Sequence, residues 1–174
     1  DQDVAKKKGI YLFKTQTTPA PAVAELVLGF MLDLARKINY QNNTLKSGVW
    51  KKQMGNLLHG KTLGIIGLGT IGKTLVKLVK GFNFNIRAFD LFQDKKFAKK
   101  FDVKYCDLDT LLSESDIISI HLNLTEETNQ LMNASQIRKM KQDSILINTS
   151  RGEMIDEGAL YKALKEKKIL GAGL

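Results

Sequence analysis

The 174-residue sequence predicts an α/β fold, a doubly wound parallel sheet with helices on both faces. From residue 61 onward, short apolar runs alternate with segments whose apolar residues recur every three or four positions, the pattern of strands alternating with helices. Gly67, Gly69 and Gly72 close the first of those runs and open the first of those segments. Asp90 closes the next run.

Taken in order, residues 9–14 (GIYLFK) predict a short strand before a loop containing Pro19 and Pro21. A long helix over 20–46 follows, with Val23, Leu26, Val27, Phe30, Met31, Leu34 and Ile38 at helical spacing. The prolines suit its first turn, where their missing N–H costs nothing. Residues 41–60 are polar and irregular around Trp50 and predict a connector. Strands are expected at 63–67, 86–90, 103–105, 117–121, 145–148 and 169–173, and helices at 70–81, 94–100, 108–113, 134–141 and 157–167.

Hydrophobic residues make up 43% of the chain, enough for a packed core, and no low-complexity tract interrupts it. The formal net charge is +9. Its lysines fall in scattered pairs and triplets without interleaved aromatics, which argues for solvated helix faces and against a nucleic-acid partner. No stretch approaches the ~18 uninterrupted apolar residues of a membrane span, so no membrane partner is expected. Cys106 is the sole cysteine, which fits a reducing, cytoplasmic setting. Residue 1 is Asp, and the chain is expected to be part of a longer protein.

A Gly-x-Gly-x-x-Gly in isolation is weak, since this glycine content yields one by chance roughly 0.09 times per chain. Its placement between a strand and a helix gives it weight. Gly67 suits a turn that a Cβ would obstruct, Gly69 a close backbone approach to a pyrophosphate, and Gly72 tight packing of helix on strand. The free N–H groups opening that helix would face the diphosphate. Asp90 stands 23 positions after Gly67, close to the ~20 expected for an acid that accepts ribose hydroxyls. A carboxylate there repels a 2′-phosphate, so NAD is expected rather than NADP, with Lys95 and Lys96 nearby as opposing charges.

Two later strand ends land on the same sheet edge: His121 with Leu122, and Asn148 through Gly152. Arg151 is the cation that reduction of a 2-keto acid requires, to hold the carboxylate and the charge developing on oxygen. Taken alone, an Arg after a strand is more often a surface ion-pair residue. His121 is expected to be a hydrogen-bonded residue at the sheet edge, and Ser150 has no neighbouring His-Asp pattern to activate it. Two separated histidines and one cysteine make no metal site.

These residues resemble the D-isomer-specific 2-hydroxyacid dehydrogenases, most closely the D-3-phosphoglycerate dehydrogenase branch. The resemblance runs through AVAELVLGFML (22–32), SGVW (47–50), GKTLGIIGLGTIGK (60–73), SDIISIHLNLTEETNQLMN (115–133) and NTSRGEMIDEGALYKAL (148–164). It implies a Rossmann-type domain at 47–174, truncated at its C-terminal end, a remnant of the substrate domain at 1–18, and an interdomain and dimerisation helix at 19–46. It further implies that Gly67, Gly69, Thr70, Ile71 and Gly72 bind the pyrophosphate of NAD and that Asp90 binds the ribose. Leu122 would line the adenosine side, with Thr149, Ser150 and Arg151 near the nicotinamide. Arg151 matches the substrate-orienting arginine for a 2-hydroxy or 2-keto acid, and the implied assembly is a homodimer. Lys14 stands where Asn is common, and Asn123 where Pro is frequent. The family's relay Glu and His would lie beyond Leu174, so this stretch by itself is expected to be inactive. A non-catalytic corepressor on the same scaffold is the rival reading; adenosylhomocysteine hydrolase, with a related domain, is disfavoured by Arg151.

Overall fold

The computed structural model describes residues 2–13 and 18–174. The chain opens with helix α1 (Gln2–Lys7), which the sequence pattern did not signal. Over its described residues, 9–13, the strand expected at 9–14 does not form: they are irregular and exposed, Phe13 at 92%. Among the described residues nothing pairs with that stretch, and an apolar run without a ladder partner has no strand to join. Lys14 lies outside the described residues.

The helix expected over 20–46 is two helices, α2 (Ala20–Arg36) and α3 (Ile38–Lys46), divided at Lys37 with φ of 57°. Apolar spacing does not encode that break; local hydrogen bonds do. The Lys37 N–H still makes the ordinary helical bond to Asp33 O, but the Asn39 N–H, instead of reaching Ala35 O, donates to Asp33 Oδ1 at 2.6 Å. The connector contributes from outside, its Asn56 N–H donating to Ala35 O at 2.7 Å.

The remainder alternates as expected, with ends shifted by a few residues: β1 (Thr62–Ile66), α4 (Thr70–Leu78), β2 (Asn85–Phe89), α5 (Lys95–Phe101), β3 (Val103–Tyr105), α6 (Leu108–Glu114), β4 (Ile117–Ile120), α7 (Ala134–Lys139), β5 (Ile145–Asn148), α8 (Glu157–Lys165) and β6 (Gly171–Gly173). Short 3₁₀ turns at Lys80–Phe82 and Gly152–Met154 complete it. Side chains cap α5, α6, α7 and α8: Asp94, Asp107, Asn133 and Asp156 each accept a backbone N–H two or three residues on. Each such cap contributes about 1 kcal/mol.

All pairings are parallel, in the order β3-β2-β1-β4-β5-β6. This is a Rossmann sheet. The order reverses between β1 and β4, which opens a crevice at the carboxyl ends of those strands. Every residue of β4 and β5 is buried, as strands covered on both faces must be. Leu63, Ile65, Ile117, Ile145 and Ile147 pack towards α2 and α4. Ile66, Ile118, Ile120 and Leu146 pack with residues of α6, α7 and α8 on the opposite face. Such side chains stabilise by roughly 1.5–3 kcal/mol each.

α2 seats on this sheet through Ala20, Ala24, Val27, Met31 and Ala35. Of its expected apolar stripe, Val27 and Met31 are buried, whereas Leu26 and Ile38 are exposed. The alanines let the helix axis approach, and β6 answers with small residues: a Cβ on Gly173 would lie 2.6 Å from the Phe30 ring.

Candidate cofactor and substrate site

The carboxyl ends of β1, β2, β4 and β5 bring the expected residues to one edge. Directly after β1, Gly67 takes φ of +95°, a conformation that disfavours a side chain. A Cβ there would also lie 2.7 Å from His121 O and 2.9 Å from Leu122 Cδ2. The half-buried Leu122 therefore lies against the glycine turn from the β4 side. At Gly72, in the first turn of α4, a Cβ would lie 2.6 Å from Gly67 O and 3.1 Å from Ile65 Cγ2. Gly69 differs: no heavy atom stands within 4 Å of its Cβ position. It is exposed, as is Thr70; Ile71 is half-buried. α4 opens on Gly69 without a side-chain cap, so its first N–H groups are available to an anion.

Asp90 follows β2. Its Oδ2 accepts the Leu68 N–H at 2.7 Å and its Oδ1 the Phe92 N–H at 2.9 Å. Each oxygen retains a lone-pair position for a further donor. That link to the glycine turn was not visible in the sequence, because Leu68 and Asp90 are brought together only by the β1–β2 pairing.

After β5 the chain folds into a closed turn. Asn148 Nδ2 donates to Arg151 O at 2.7 Å, and the Ser150 N–H donates to Asn148 Oδ1 at 3.0 Å. Ser150 Oγ donates to Ile120 O at 3.0 Å. The hydroxyl of Ser150 thus ties the turn to β4, a role the motif did not disclose. Thr149 Oγ1 is buried without a hydrogen-bond partner. Arg151 is exposed, one guanidinium nitrogen donating to Ser150 O at 2.9 Å. It borders a pocket of about 360 Å³ with Thr149, Leu26, Ile155, Glu157 and Leu160 among its walls.

The comparisons with known proteins agree with this geometry. Residues 28–174 match the family model of the D-isomer specific 2-hydroxyacid dehydrogenase, NAD binding domain. The chain belongs to the D-isomer specific 2-hydroxyacid dehydrogenase family. It is 45% identical over 176 residues to a hydroxypyruvate reductase of Thermotoga maritima, covering all of this chain and 56% of that protein. It is 41% identical over 177 residues to a D-3-phosphoglycerate dehydrogenase of Methanocaldococcus jannaschii, covering all of this chain and 34% of that one. The solved structure of D-lactate dehydrogenase with NAD+ from Lactobacillus jensenii superposes with a TM-score of 0.89 at 32% identity, covering all of this chain and 53% of that one. The chain thus spans about half the length, or less, of these proteins.

The cofactor of this dehydrogenase domain is NAD, and the residues present fit it. The open space over Gly69, the uncapped start of α4 and the oxygens of Asp90 form a continuous polar edge. His121, beneath the same edge, is a different kind of residue. Its Nε2 lies 3.0 Å from Ser119 Oγ, its Nδ1 is buried without a partner, and burial pushes its pKa down to about 4. The ring is therefore neutral at pH 7, which agrees with a structural role at the sheet edge. Among the described residues, no group of three or more His, Cys, Asp or Glu side chains could hold a metal ion, and no helix is long and apolar enough to cross a membrane.

Proposed function

We propose that this chain is the cofactor-binding portion of a dehydrogenase that interconverts a D-2-hydroxy acid and its 2-keto acid. 3-Phosphoglycerate is the first substrate to test. NAD, when bound, supplies the hydride acceptor; every other task falls to protein groups. In this reading the N–H groups at Gly69, Thr70, Ile71 and Gly72 hold the pyrophosphate, and Gly67 shapes the turn that presents them. Asp90 accepts the adenosine ribose hydroxyls while remaining tied to Leu68, and Leu122 lines the adenosine side. Thr149 and Ser150 shape the nicotinamide end of the edge. Arg151 binds the substrate carboxylate and stabilises charge on the reacting oxygen.

The single observation that carries this reading is the presence of Arg151, exposed beside Thr149, on the edge that the glycine turn and Asp90 share. His121 is not assigned the proton transfer: its Nε2 lies 3.0 Å from Ser119 Oγ, which fits a structural place at the sheet edge. A group outside these 174 residues fills that role, in a cytoplasmic protein that assembles as a homodimer through α2, α3 and the connector. The exposed Tyr40, Leu45 and Trp50 support that assembly.

The test is absorbance at the reduced-nicotinamide band with hydroxypyruvate, glyoxylate, pyruvate and 3-phosphoglycerate as separate substrates. It compares the 174-residue chain with the same chain joined to a substrate domain. Turnover only in the joined protein supports the proposal, and the preferred acid identifies the substrate. NAD binding without turnover in either form would favour the corepressor-like module instead.

A further inference from the structure

A second bridge joins α4 to the chain beyond β2. Lys73, in the first turns of α4, places Nζ 2.6 Å from Asp94 Oδ2 and 5.4 Å from the centroid of the Phe97 ring. Asp94 is itself fixed in place. Its Oδ1 accepts the Phe97 N–H at 2.9 Å, and its own N–H donates to the Tyr105 hydroxyl at 3.0 Å. The Lys73 ammonium beside it, with the Phe97 N–H, holds the Asp94 carboxyl below the usual carboxylate range. The glycine turn and α4 therefore grip the 90–94 segment at both ends, through Leu68 to Asp90 and through Lys73 to Asp94. Between those ends Leu91 and Phe92 are exposed.

We propose that Asp94 is a cofactor-specificity residue: by holding Lys73 against Phe97, it denies that cation to a 2′-phosphate at Asp90. The proposal rests on Asp90 being the ribose-binding carboxylate. A ribose 2′-phosphate would enter beside Asp90 as a dianion, and repulsion from Asp90 disfavours it only if no nearby cation offsets the charge. Lys73 stems from the helix that opens on the same glycine turn, on a flexible four-carbon chain. Paired with Asp94, its charge is already matched, and reaching a phosphate would require breaking that pair. Lys95 and Lys96 are exposed on α5, but they remain unchanged in the comparison below and so cancel in a ratio.

Asp94→Asn separates the charge from the cap, because Asn caps a helix about as well as Asp. Calorimetric titration gives Kd for NADH and NADPH with the unmodified chain, Asp94→Asn, and Asp94→Asn combined with Lys73→Met. Thermal melts check that all three are folded. The expected result is a fall of about three- to tenfold in the NADPH-to-NADH Kd ratio for Asp94→Asn, the range for one partly exposed charge-assisted contact. Adding Lys73→Met should restore the original ratio. An unchanged ratio in Asp94→Asn overturns the proposal, as does a fall that Lys73→Met leaves in place. Equal weakening of both cofactors also overturns it, and would assign Asp94 to loop support alone. Failure of the unmodified chain to bind either cofactor overturns the underlying reading of the site, a result distinct from all of these.

Discussion

The carboxylate of Asp90 accepts the Leu68 N–H at 2.7 Å, fastening the end of the second strand to the glycine turn that follows the first. One side chain thereby fixes the glycine turn and, in the proposed reading, offers its remaining lone pairs to the cofactor. Replacing it should be felt in both stability and selectivity.

Asp90→Ala should cost about 1–2 kcal/mol of stability, because two backbone N–H groups lose a charged acceptor at a half-buried position. The same change should erase most of the preference for NADH over NADPH. Urea unfolding and paired calorimetric titrations measure the two effects. An unmodified chain that binds NADPH as tightly as NADH would remove Asp90 from its assigned role.

Two of the three glycines should separate cleanly. Gly67→Ala meets both a positive φ and the His121 carbonyl at 2.7 Å, so a loss of roughly 2–4 kcal/mol or failure to fold is expected. Gly69→Ala enters open space and should change stability by no more than about 0.5 kcal/mol, while weakening NADH at least tenfold. Circular dichroism melts with NADH titrations would show the contrast. Gly69→Ala with unaltered NADH affinity would mean that the pyrophosphate does not approach there.

His121 should make the fold sensitive to acid. Its pKa is about 4 in the folded chain, against the ordinary value of 6.5 when unfolded. Above pH 6.5 both states hold a neutral ring and the residue carries no pH dependence. As pH falls from about 6.5 to 4, only the unfolded state takes up the proton, so stability declines by on the order of 3 kcal/mol. Unfolding curves at pH 7.5, 5.5 and 4.5 should show this slope, and His121→Asn should flatten it. An identical slope in His121→Asn would assign the acid sensitivity to other groups.

Self-association is expected through α2, α3 and the connector, where Trp50 is 88% exposed beside Leu45 and Val49, and Tyr40 of α3 is exposed as well. Apolar patches of this kind mark surfaces that another molecule covers. Trp50→Glu should weaken the association at least tenfold, the effect of moving a charge into a buried contact. Sedimentation velocity across a concentration series measures it. A strictly monomeric unmodified chain at high concentration would sink the proposed homodimer.

Much of the fold was legible in the chain because its signals are local. The strand-glycine-helix order at Leu63 to Leu75 and the apolar runs at Ile117–Ile120 and Ile145–Asn148 each rest on neighbours in sequence. They determined the parallel α/β class and the six strands of the sheet, and they carry the glycine loop and Asp90 on which the proposed cofactor site rests. What local pattern could not carry was decided by contacts across the fold. The segment 9–13 has strand composition, yet forms none, since a strand exists only with a partner to pair with. The helical spacing from Val23 to Ile38 runs through Lys37 without interruption, yet the chain turns there, because Asp33 and the distant Asn56 take the hydrogen bonds that would have carried the helix on. The Leu68–Asp90 and Lys73–Asp94 links and the neutral ring of His121 arise in the same way. Each depends on residues far apart in sequence being brought within a few ångströms, and on the burial that follows, so only the tertiary structure could decide them.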